Sequence, residues 1–199
     1  MKKNNPILIG THNDGKFREI SKLIDKNIEK ISPKNLKIKA PKETGKTFKS
    51  NSELKASYFY KKSKLISLSD DSGLEIFALN KKPGIYSARW AKKSGSFKKA
   101  MTNILKKINK KKNRKARFIC SLSIRLNKKK IITSVGVING VISDRILGSK
   151  GFGYDSIFIP NQFKKTFGQM NISKKMAIDH RSIAFKKLKK KLKFHKFFI

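Results

Sequence analysis

Two aspartates stand side by side in the stretch LISLSDDSG, residues 65–73, where a short apolar run ends. Carboxylates followed by Ser72 suit a hard, oxygen-ligated cation such as Mg²⁺, which keeps several waters and bridges to phosphate groups. Adjacent strand residues point to opposite faces, so only one of Asp70 and Asp71 can enter a given cleft, and the other supports it. Like charges this close repel, so the pair makes sense mainly beside a cation or strong donors. The alternative is a simple Asp-Asp-Ser-Gly turn between two strands.

A second candidate site lies in the stretch GTHNDGKF, residues 10–17. It satisfies the first seven positions of the pattern G-x-x-x-x-G-K-[ST], directly after a predicted strand, and backbone N–H groups at a helix N-terminus can hold phosphate. The eighth position is Phe17, which has no hydroxyl for a phosphate-bound metal, so a Walker-type site would lack a magnesium ligand. The alternative is that Asn13 and Asp14 only cap the helix.

A third candidate site combines the stretch GFGYD, residues 151–155, with the downstream stretch KKMAIDHR. The two glycines let the backbone approach a ligand closely, and Phe152 and Tyr154 offer flat faces to a base. His180 and Arg181 begin a polar cluster that could donate to base oxygens or phosphates. Each feature alone is weak, because such loops are often simple turns. Together they describe a ligand that has both a ring and a polyphosphate.

Strands and helices must alternate along the chain to position these three sites. Short apolar or alternating runs predict strands at residues 5–10, 65–69, 74–79, 116–126, 130–143 and 156–160. Helical spacing of apolar residues predicts helices at 15–28, 47–63 and 96–111, and a last one from Ser173 into the 180s. The first helix would bury Phe17, Ile20, Leu23, Ile24 and Ile28, and the second has Phe48, Leu54 and Tyr58 at helical spacing. The stretch at 81–91 is predicted to be a turn and loop.

This order of elements predicts an α/β fold with a mixed sheet. Residues 116–126 and 130–143 flank the sequence NKKK and should form an antiparallel hairpin. There is no internal repeat, low-complexity linker or clear boundary, and the length suits one domain. We therefore predict a single domain over residues 1–199, with two lobes around a cleft.

The formal net charge of +38, from 50 basic and 12 acidic residues, is the strongest compositional signal. Such a charge is typical of a nucleic-acid or anionic-membrane partner. However, only seven of the basic residues are arginine, which is the side chain best suited to bidentate base and phosphate recognition. Lysines spread along the whole chain favour a simpler interpretation, in which compositional drift has placed lysine on solvated faces. Acids that remain adjacent in such a chain are then good candidates for a specific role.

The single cysteine, Cys120, excludes an internal disulfide and lies in an apolar run, which favours a reducing compartment. The N-terminal stretch MKKNNPILIG fits neither a secretory signal nor a membrane span, so we expect a cytoplasmic protein. The tail KKLKKKLKFHKFFI could contact anionic membrane through Leu188, Leu192, Phe194, Phe197 and Phe198. We favour the alternative, that its apolar face packs on the domain or on a partner subunit, and we expect no membrane partner.

Four blocks of the sequence, in order, resemble the inosine triphosphate pyrophosphatase family, also called XTP/dITP diphosphatases. THNDGKFREI resembles the family's T/S-x-N-x-x-K-x-x-E opening, and KKMAIDHRSIAFKKL its closing K-x-A-I-S-H-R segment. DDSGLEIFALNKKPGIYSARWA is similar to the signature D-D-S-G-L-x-V-x-A-L-x-x-x-P-G-x-Y-S-A-R, and GFGYDSIFIP to the block G-F-G-Y-D-P-x-F. The match spans nearly the whole chain, and the second block is highly specific.

The resemblance implies a Mg²⁺-dependent hydrolase that cleaves ITP, dITP or XTP to the monophosphate and pyrophosphate. It implies an elongated, twisted mixed sheet with flanking helices around a central substrate cleft, and a homodimer. Asp71 would be the general base and a metal ligand, with Lys16 as the second catalytic group and Glu43 as a further candidate metal ligand. The substrate-binding residues carried over from the motifs are Thr11, His12, Asn13, Asp14, Gly15, Lys16, Ser72, Phe152, Gly153, Tyr154, Asp155, Lys175, His180 and Arg181.

The sequence also departs from the family pattern. The usual E-E-T-G segment is PKETG here, so Lys42 stands where several members have a glutamate that binds the metal. Either Glu43 or Glu75 compensates, or the metal relies on Asp71, phosphates and water. Ser156 replaces a usual proline, and Asp179 replaces a usual serine beside His180, where it adds an acid next to the predicted base-reading group.

Two other functions compete with the enzyme predicted from the four blocks. A nucleic-acid-binding module accounts for the charge alone, and a salt-sensitive gel shift without triphosphatase activity would favour it. A P-loop NTPase would use GTHNDGK with the Asp70-Asp71 strand as its metal-binding strand, and it predicts ATP or GTP turnover. We expect a purine nucleoside triphosphate as the substrate and no specific nucleic-acid partner.

Overall fold

The computed structural model of the chain describes residues 6–194, which form a mixed α/β fold, as predicted. The strands within this range are Ile7–Ile9 (β1), Lys30–Ile31 (β2), Ile66–Ile76 (β3), Lys82–Pro83 (β4), Lys115–Arg125 (β5), Ile131–Ile142 (β6) and Phe158–Pro160 (β7). The α-helices are Asp14–Leu23 (α1), Phe48–Ser63 (α2), Ser87–Lys93 (α3), Phe97–Ile108 (α4), Ile172–Ile178 (α5) and His180–Phe194 (α6). No helix among these residues is both long enough and apolar enough to cross a membrane.

The strands form one mixed sheet in the order β2-β1-β3-β5-β6-β7, with β4 paired to β3. β1 is parallel to β2 and to β3, whereas β4 on β3 and β7 on β6 are antiparallel. β5 and β6 are sheet neighbours joined by a short loop, which the Leu126 N–H closes on the Lys130 carbonyl at 3.0 Å. The predicted mixed sheet and its hairpin are therefore confirmed.

The chain divides into two compact units. The described part of unit 1 comprises residues 6–71, 120–136 and 181–194, and unit 2 comprises residues 72–119 and 137–180. The boundary after the first segment falls inside β3, between Asp71 and Ser72. The single domain over residues 1–199 and the substrate cleft stay predictions.

Unit 1 has its own apolar core, built from β1, one face of α1, the adjacent ends of β3 and β5, and α6. Ile20 and Ile24 are buried from the predicted face of the first helix, but Phe17, Leu23 and Ile28 are only partly buried. Leu188 and Leu192 of α6 are buried in the same core, so this part of the C-terminal tail packs on the protein, as favoured. The side chains of Phe194, Phe197 and Phe198 lie outside the part of the chain that the structure describes.

Unit 2 packs a second apolar core around the buried face of α4. Its largest fully buried side chains are Leu74, Ile76, Ile104, Ile108, Phe158 and Phe167. α4 is strongly amphipathic, which explains why its sequence predicted a helix, and Ser96 caps it by accepting the Lys99 N–H.

The strand end predicted at the two aspartates and the alternative of a turn there are both wrong, because β3 runs without interruption from Ile66 to Ile76. Asp70 and Asp71 are buried and lie in the middle of the strand. Gly73 serves close packing and not a turn, since a Cβ there would lie 2.2 Å from the Gly84 carbonyl oxygen. The tertiary contacts of these side chains therefore override the turn preference of Asp-Asp-Ser-Gly.

Two predicted helices and one predicted loop also need correction. The first helix ends at Leu23, before the predicted end at residue 28, because Ile24 has an extended backbone. The predicted loop at 81–91 contains helix α3. The last helix is two helices, because Asp179 is extended and separates α5 from α6.

Candidate active site

The loop between β1 and α1 carries the phosphate-binding pattern and is ordered by its own polar side chains. Asn13 caps α1, since its Oδ1 accepts the Lys16 N–H at 3.0 Å, and Thr11 Oγ1 accepts the Asn13 N–H at 3.2 Å. Gly10 permits close packing, because a Cβ there would lie 2.1 Å from Ser69 Oγ. Asn13 thus caps the helix, as the alternative interpretation held, and the predicted role of this loop in holding phosphate stays a prediction.

Lys16 directs its ammonium group at the first aspartate of the pair. Its Nζ lies 3.0 Å from Asp70 Oδ2, and the side chain of Asp70 is 0% exposed. Arg181, in the first turn of α6, lies next to the same carboxylate, with Nε 3.8 Å from Asp70 Oδ2. Arg181 Nη1 also donates to Glu19 Oε2 of α1 at 2.9 Å, and both of these side chains are buried.

Asp71 accepts a hydrogen bond from a residue of a different helix, although the charges of Lys16 and Lys55 act on both aspartates. Asn51 of α2 donates from Nδ2 to Asp71 Oδ2 at 3.0 Å and accepts the Gly45 N–H at 2.8 Å. Asn51 is fully buried, so it holds the Asp71 carboxylate in one orientation. Sequence reasoning did not identify Asn51.

Lys55 of α2 is the second residue that sequence reasoning missed. Its Nζ lies 3.0 Å from Glu43 Oε1, and its side chain is 10% exposed. Burial would lower the pKa of Lys55, but the charges of Asp70, Glu43 and Asp71 raise it above the usual value, so the ammonium stays charged. These four groups, with Lys16, Arg181 and Glu19, are called the charge cluster below.

The spacing of residues along α2 could have identified Asn51 and Lys55 from the sequence. The buried face of the helix comprises Asn51, Ser52, Lys55, Ala56 and Phe59, whereas the predicted Phe48, Leu54 and Tyr58 are only half-buried. Asn51, Lys55 and Phe59 follow the i, i+4, i+8 pattern of one helix face. A lysine and an asparagine on the same helix face as a core phenylalanine indicate that these polar side chains are buried and have a specific role.

The two adjacent aspartates have opposite pKa shifts. Burial raises the pKa of Asp71 to about 6, against the lowering effect of Lys55 and Lys16, and the Glu43 charge raises it further. Burial would also raise the pKa of Asp70, but Lys16, Lys55 and Arg181 together hold it well below its usual range. Asp70 is therefore a permanent anion, and Asp71 is a carboxylate that can exchange a proton near neutral pH.

The charge cluster brings acidic and basic side chains together. It contains the cations Lys16, Lys55 and Arg181 and the carboxylates of Glu19, Glu43, Asp70 and Asp71. Among the described residues no three His, Cys, Asp or Glu side chains are arranged as a metal site. Glu75, the other candidate for compensating Lys42, is paired with Arg117 in unit 2 at 2.8 Å.

In unit 2 the loop GFGYD is built around one buried ion pair. Lys175 Nζ lies 2.6 Å from Asp155 Oδ2, and this oxygen also accepts the Phe152 N–H at 2.9 Å. Gly151 and Gly153 both have positive φ angles, of 78° and 67°, which explains glycine at these positions. The Lys175 ammonium lies 4.9 Å from the centre of the half-buried Phe152 ring, within cation–π distance.

Tyr154 and His180 are both buried inside unit 2. The Tyr154 ring is 3% exposed, lies edge-on to Phe97, and its hydroxyl donates to the Ser87 carbonyl at 2.9 Å. Of the two rings predicted to offer a face to a base, Phe152 is therefore the one with exposed area. His180 stacks on Phe118 with ring centroids 4.8 Å apart, which fixes the imidazole orientation.

The structure brings some predicted site residues together and leaves others apart. Lys16, Glu43, Asp71 and Arg181 belong to the charge cluster of unit 1. His12 and Asp14 are exposed, with His12 Nε2 3.0 Å from the Ile38 carbonyl and Asp14 paired with Lys34. Gly15 is buried in the first turn of α1, and Ser72 is half-buried at the start of unit 2.

Comparison with known proteins identifies relatives over almost the whole chain. The model of the Ham1 family matches residues 7–191. The dITP/XTP pyrophosphatase of Christiangramia forsetii is 36% identical over 183 residues, which cover 92% of this chain and 96% of the relative. The dITP/XTP pyrophosphatase of Bartonella quintana is 40% identical over 203 residues, which cover 94% of each chain.

Solved structures give the same result. The Staphylococcus aureus Ham1 protein matches with a TM-score of 0.84 and 33% identity, over 96% of this chain and 99% of that one. A HAM1 protein from Coxiella burnetii matches with a TM-score of 0.85 and 31% identity, over 95% and 98%. The predicted fold class and the resemblance to the inosine triphosphate pyrophosphatases are confirmed. The chain belongs to the Ham1 family.

Proposed function

We propose that this chain hydrolyses non-standard purine nucleoside triphosphates, namely dITP, XTP and ITP, to the monophosphate and pyrophosphate. Relatives that are 36% and 40% identical over more than nine-tenths of this chain are dITP/XTP pyrophosphatases. The observation that carries the proposal is the charge cluster of unit 1. In it, a carboxylate that can exchange a proton lies beside fixed cations suited to a triphosphate.

Asp71 is the proposed general base. Its carboxylate takes a proton from water as the water oxygen attacks phosphorus, and the bond between the α- and β-phosphates breaks, which releases pyrophosphate. A base whose pKa lies near the working pH is the most effective, and burial raises the pKa of Asp71 to about 6. Asn51 fixes the orientation of the carboxylate through its 3.0 Å hydrogen bond.

Lys16 and Arg181 are the proposed phosphate-binding cations. Phosphoryl transfer depends on positioning and charge stabilisation more than on covalent chemistry, so fixed cations contribute directly to the rate. Thr11, His12, Asn13, Asp14 and Gly15 form the loop that would hold the triphosphate beside Lys16, and Ser72 would contact the substrate. These roles come from the family motifs.

We also propose that Mg²⁺ is the cofactor, held by Asp71 and Glu43 together with substrate phosphates and water. When bound, it would neutralise charge on the phosphate oxygens and on the leaving pyrophosphate. The Asp71 and Glu43 carboxylates, which both act on the charge of Lys55, support this proposal, because carboxylate oxygens are ligands that Mg²⁺ takes in proteins. Lys42 is exposed and takes no part in this ligand set.

Choice of base is proposed to depend on Phe152, Gly153, Tyr154, Asp155, Lys175 and His180. A pocket that donates hydrogen bonds to a 6-oxo group leaves its donors unmatched when it meets the 6-amino group of adenine, and such mismatches discriminate strongly. The fixed positions of these groups in unit 2 support this role, since Lys175 pairs with Asp155 and Phe118 stacks on His180. A homodimer and a cytoplasmic location stay predictions.

The P-loop alternative is not favoured. The helix that would hold phosphate is capped by Asn13, and Lys16 faces Asp70. The family match over residues 7–191 accounts for all four motif blocks, whereas a P-loop uses only the first block and the two aspartates of the second.

A substrate panel tests the proposal. Pyrophosphate release by the purified protein with Mg²⁺ should be at least about 100-fold faster in kcat/KM for dITP, XTP and ITP than for dATP, and we also expect it to be faster than for dGTP. Asp71→Asn should lose the activity on every substrate. Equal rates on dATP and dITP, or full activity in Asp71→Asn, would overturn the assignment.

A further inference from the structure

Asp70 lies between two cations that come from opposite ends of the chain. Lys16 Nζ lies 3.0 Å from its Oδ2 atom, and Arg181 Nε lies 3.8 Å from the same atom. Lys16 belongs to the first turn of α1, Asp70 to the middle of β3, and Arg181 to the first turn of α6. One fully buried carboxylate oxygen thus faces both proposed phosphate-binding cations.

The two cations differ in how they are held. Arg181 has a second ion pair, with Glu19 at 2.9 Å, and its side chain is 5% exposed. Lys16 is 16% exposed, and within residues 6–194 Asp70 is the one acid paired with it. A free lysine side chain populates many rotamers, and this freedom must be lost when it binds an anion. Asp70 removes much of that freedom before any ligand arrives.

Fold stability alone does not explain an ion pair at this position. A buried carboxylate loses its hydration, and apolar side chains of similar size often stabilise a fold equally well or better. Most lysines of this chain lie at the surface, and of the 50 basic residues only Lys55, Lys175 and Arg181 are buried among those described. The contact with Asp70 therefore selects one particular lysine and fixes it next to Asp71.

We propose that Asp70 is a positioning residue that holds the Lys16 ammonium ready for the substrate's phosphate oxygens, without itself touching the reacting atoms. The proposal rests on the proposed function, because it takes the ligand of Lys16 to be a triphosphate. Since Arg181 keeps its Glu19 partner and Lys55 keeps its Glu43 partner, the effect of Asp70 should run mainly through Lys16. The adjacent acids then have separate tasks, with Asp71 accepting the proton and Asp70 fixing a cation.

A double-mutant cycle on kcat/KM for dITP tests this role. The variants are Asp70→Asn, Lys16→Met and the double variant, measured well below their melting temperatures. We expect about a 100-fold loss for each single variant and about the same loss for the double variant, because Asp70 has nothing left to position. The loss in Asp70→Asn should include a higher KM, since a mobile lysine binds the triphosphate less well.

Glu19→Gln is the matched control. It removes another buried acid, which is paired with Arg181 and not with Lys16. The loss of kcat/KM when Glu19→Gln and Lys16→Met are combined should therefore be the product of the two single losses. If Asp70→Asn is not folded, Asp70→Ser, which also removes the carboxylate, replaces it in the same cycle with the same criteria.

The outcomes separate this inference from the proposed function. If the wild-type protein releases no pyrophosphate from any non-standard triphosphate, the proposed function fails, and this inference fails with it. The positioning role alone is overturned if the wild type is active and kcat/KM of Asp70→Asn stays within about threefold of the wild-type value. It is also overturned if the loss of kcat/KM in the double variant equals the product of the two single losses. A lower melting temperature of Asp70→Asn without any change in kcat/KM would also contradict the proposal, because Asp70 would then have only a structural role.

Discussion

The charge cluster of unit 1 and the GFGYD loop of unit 2 both contain buried ion pairs, but they are built differently. In unit 1, seven charged groups from α1, α2, β3, α6 and the segment before α2 meet, and one carboxylate keeps a pKa near neutrality. In unit 2, one lysine meets one aspartate, and glycines, rings and a backbone N–H complete the site. The first arrangement suits proton transfer and phosphate binding, whereas the second suits rigid recognition of shape and hydrogen bonds.

The largest effect is expected from Asp71→Asn. Loss of a general base costs about 100- to 10,000-fold, so kcat for dITP should fall by about 1,000-fold. The variant should also be more stable at neutral pH by about 1–2 kcal/mol, because burial disfavours the Asp71 charge that asparagine lacks. Chemical denaturation and a pyrophosphate assay measure both effects. Asp144→Asn, which removes an exposed acid (92% exposed), should change neither. A variant that is less active and also less stable would argue against a strained, functional carboxylate.

Lys55→Met should give the next largest effect. Removing this cation leaves Glu43, Asp70 and Asp71 without their shared counter-charge, and we expect a loss of about 3 kcal/mol in the free energy of unfolding. Activity should fall as well, because the pKa of Asp71 would rise further. Lys49→Met is the control on the same helix, since Lys49 is 66% exposed, and it should cost less than about 0.5 kcal/mol. Equal effects of the two substitutions would show that the cluster does not depend on Lys55.

Lys175→Met tests unit 2 in the same way and should cost less, about 2 kcal/mol, because Asp155 keeps its hydrogen bond from the Phe152 N–H. Lys174→Met, at an exposed neighbouring position, is its control. Urea denaturation of the three proteins measures the difference. A loss as large as that of Lys55→Met would remove the energetic contrast between the two regions.

The smallest effect is the pH dependence of stability, measured with a chelator present. The pKa of Asp71 is raised to about 6 from 3.8, so the folded state binds its proton more tightly, and stability should fall by about 1–2 kcal/mol between about pH 4 and pH 7 from this group. The pKa of Asp70 is lowered, so its contribution is present above 3.8 and is lost only as the pH falls further. In Asp71→Asn the free energy of unfolding should no longer fall between about pH 4 and pH 7, and its dependence on pH below that range should be unchanged. An unchanged fall of the free energy of unfolding in this variant would contradict the raised pKa.

The regular elements of this fold could be predicted because their apolar patterns are local. The β5–β6 hairpin alternates over its whole length, and α4 is amphipathic, so both followed from the sequence. The course of β3 could not be predicted, since the turn preference of Asp-Asp-Ser-Gly is overcome by partners distant in sequence such as Lys16 and Asn51.

The motif residues of the site were predictable, but their supports were not. Asn51 and Lys55 look like solvated helix residues in a chain with 50 basic groups, and Glu19, although it ends the T/S-x-N-x-x-K-x-x-E motif, was given no role. Only the packing reveals that Lys55 is buried among three carboxylates and that Glu19 holds Arg181. Tyr154 shows the reverse case, because its position in the GFGYD motif suggested a binding surface, whereas its ring lies in the core.

The central claim is that unit 1 carries the chemistry and unit 2 the choice of base. The most direct test is the ratio of kcat/KM for dITP to that for dATP in two variants. Lys16→Met should lower both values equally and keep the ratio within about twofold, whereas His180→Phe, which preserves the stack on Phe118 but removes the ring donor, should reduce the ratio by about tenfold or more. A reduced ratio in Lys16→Met together with an unchanged ratio in His180→Phe would contradict this division.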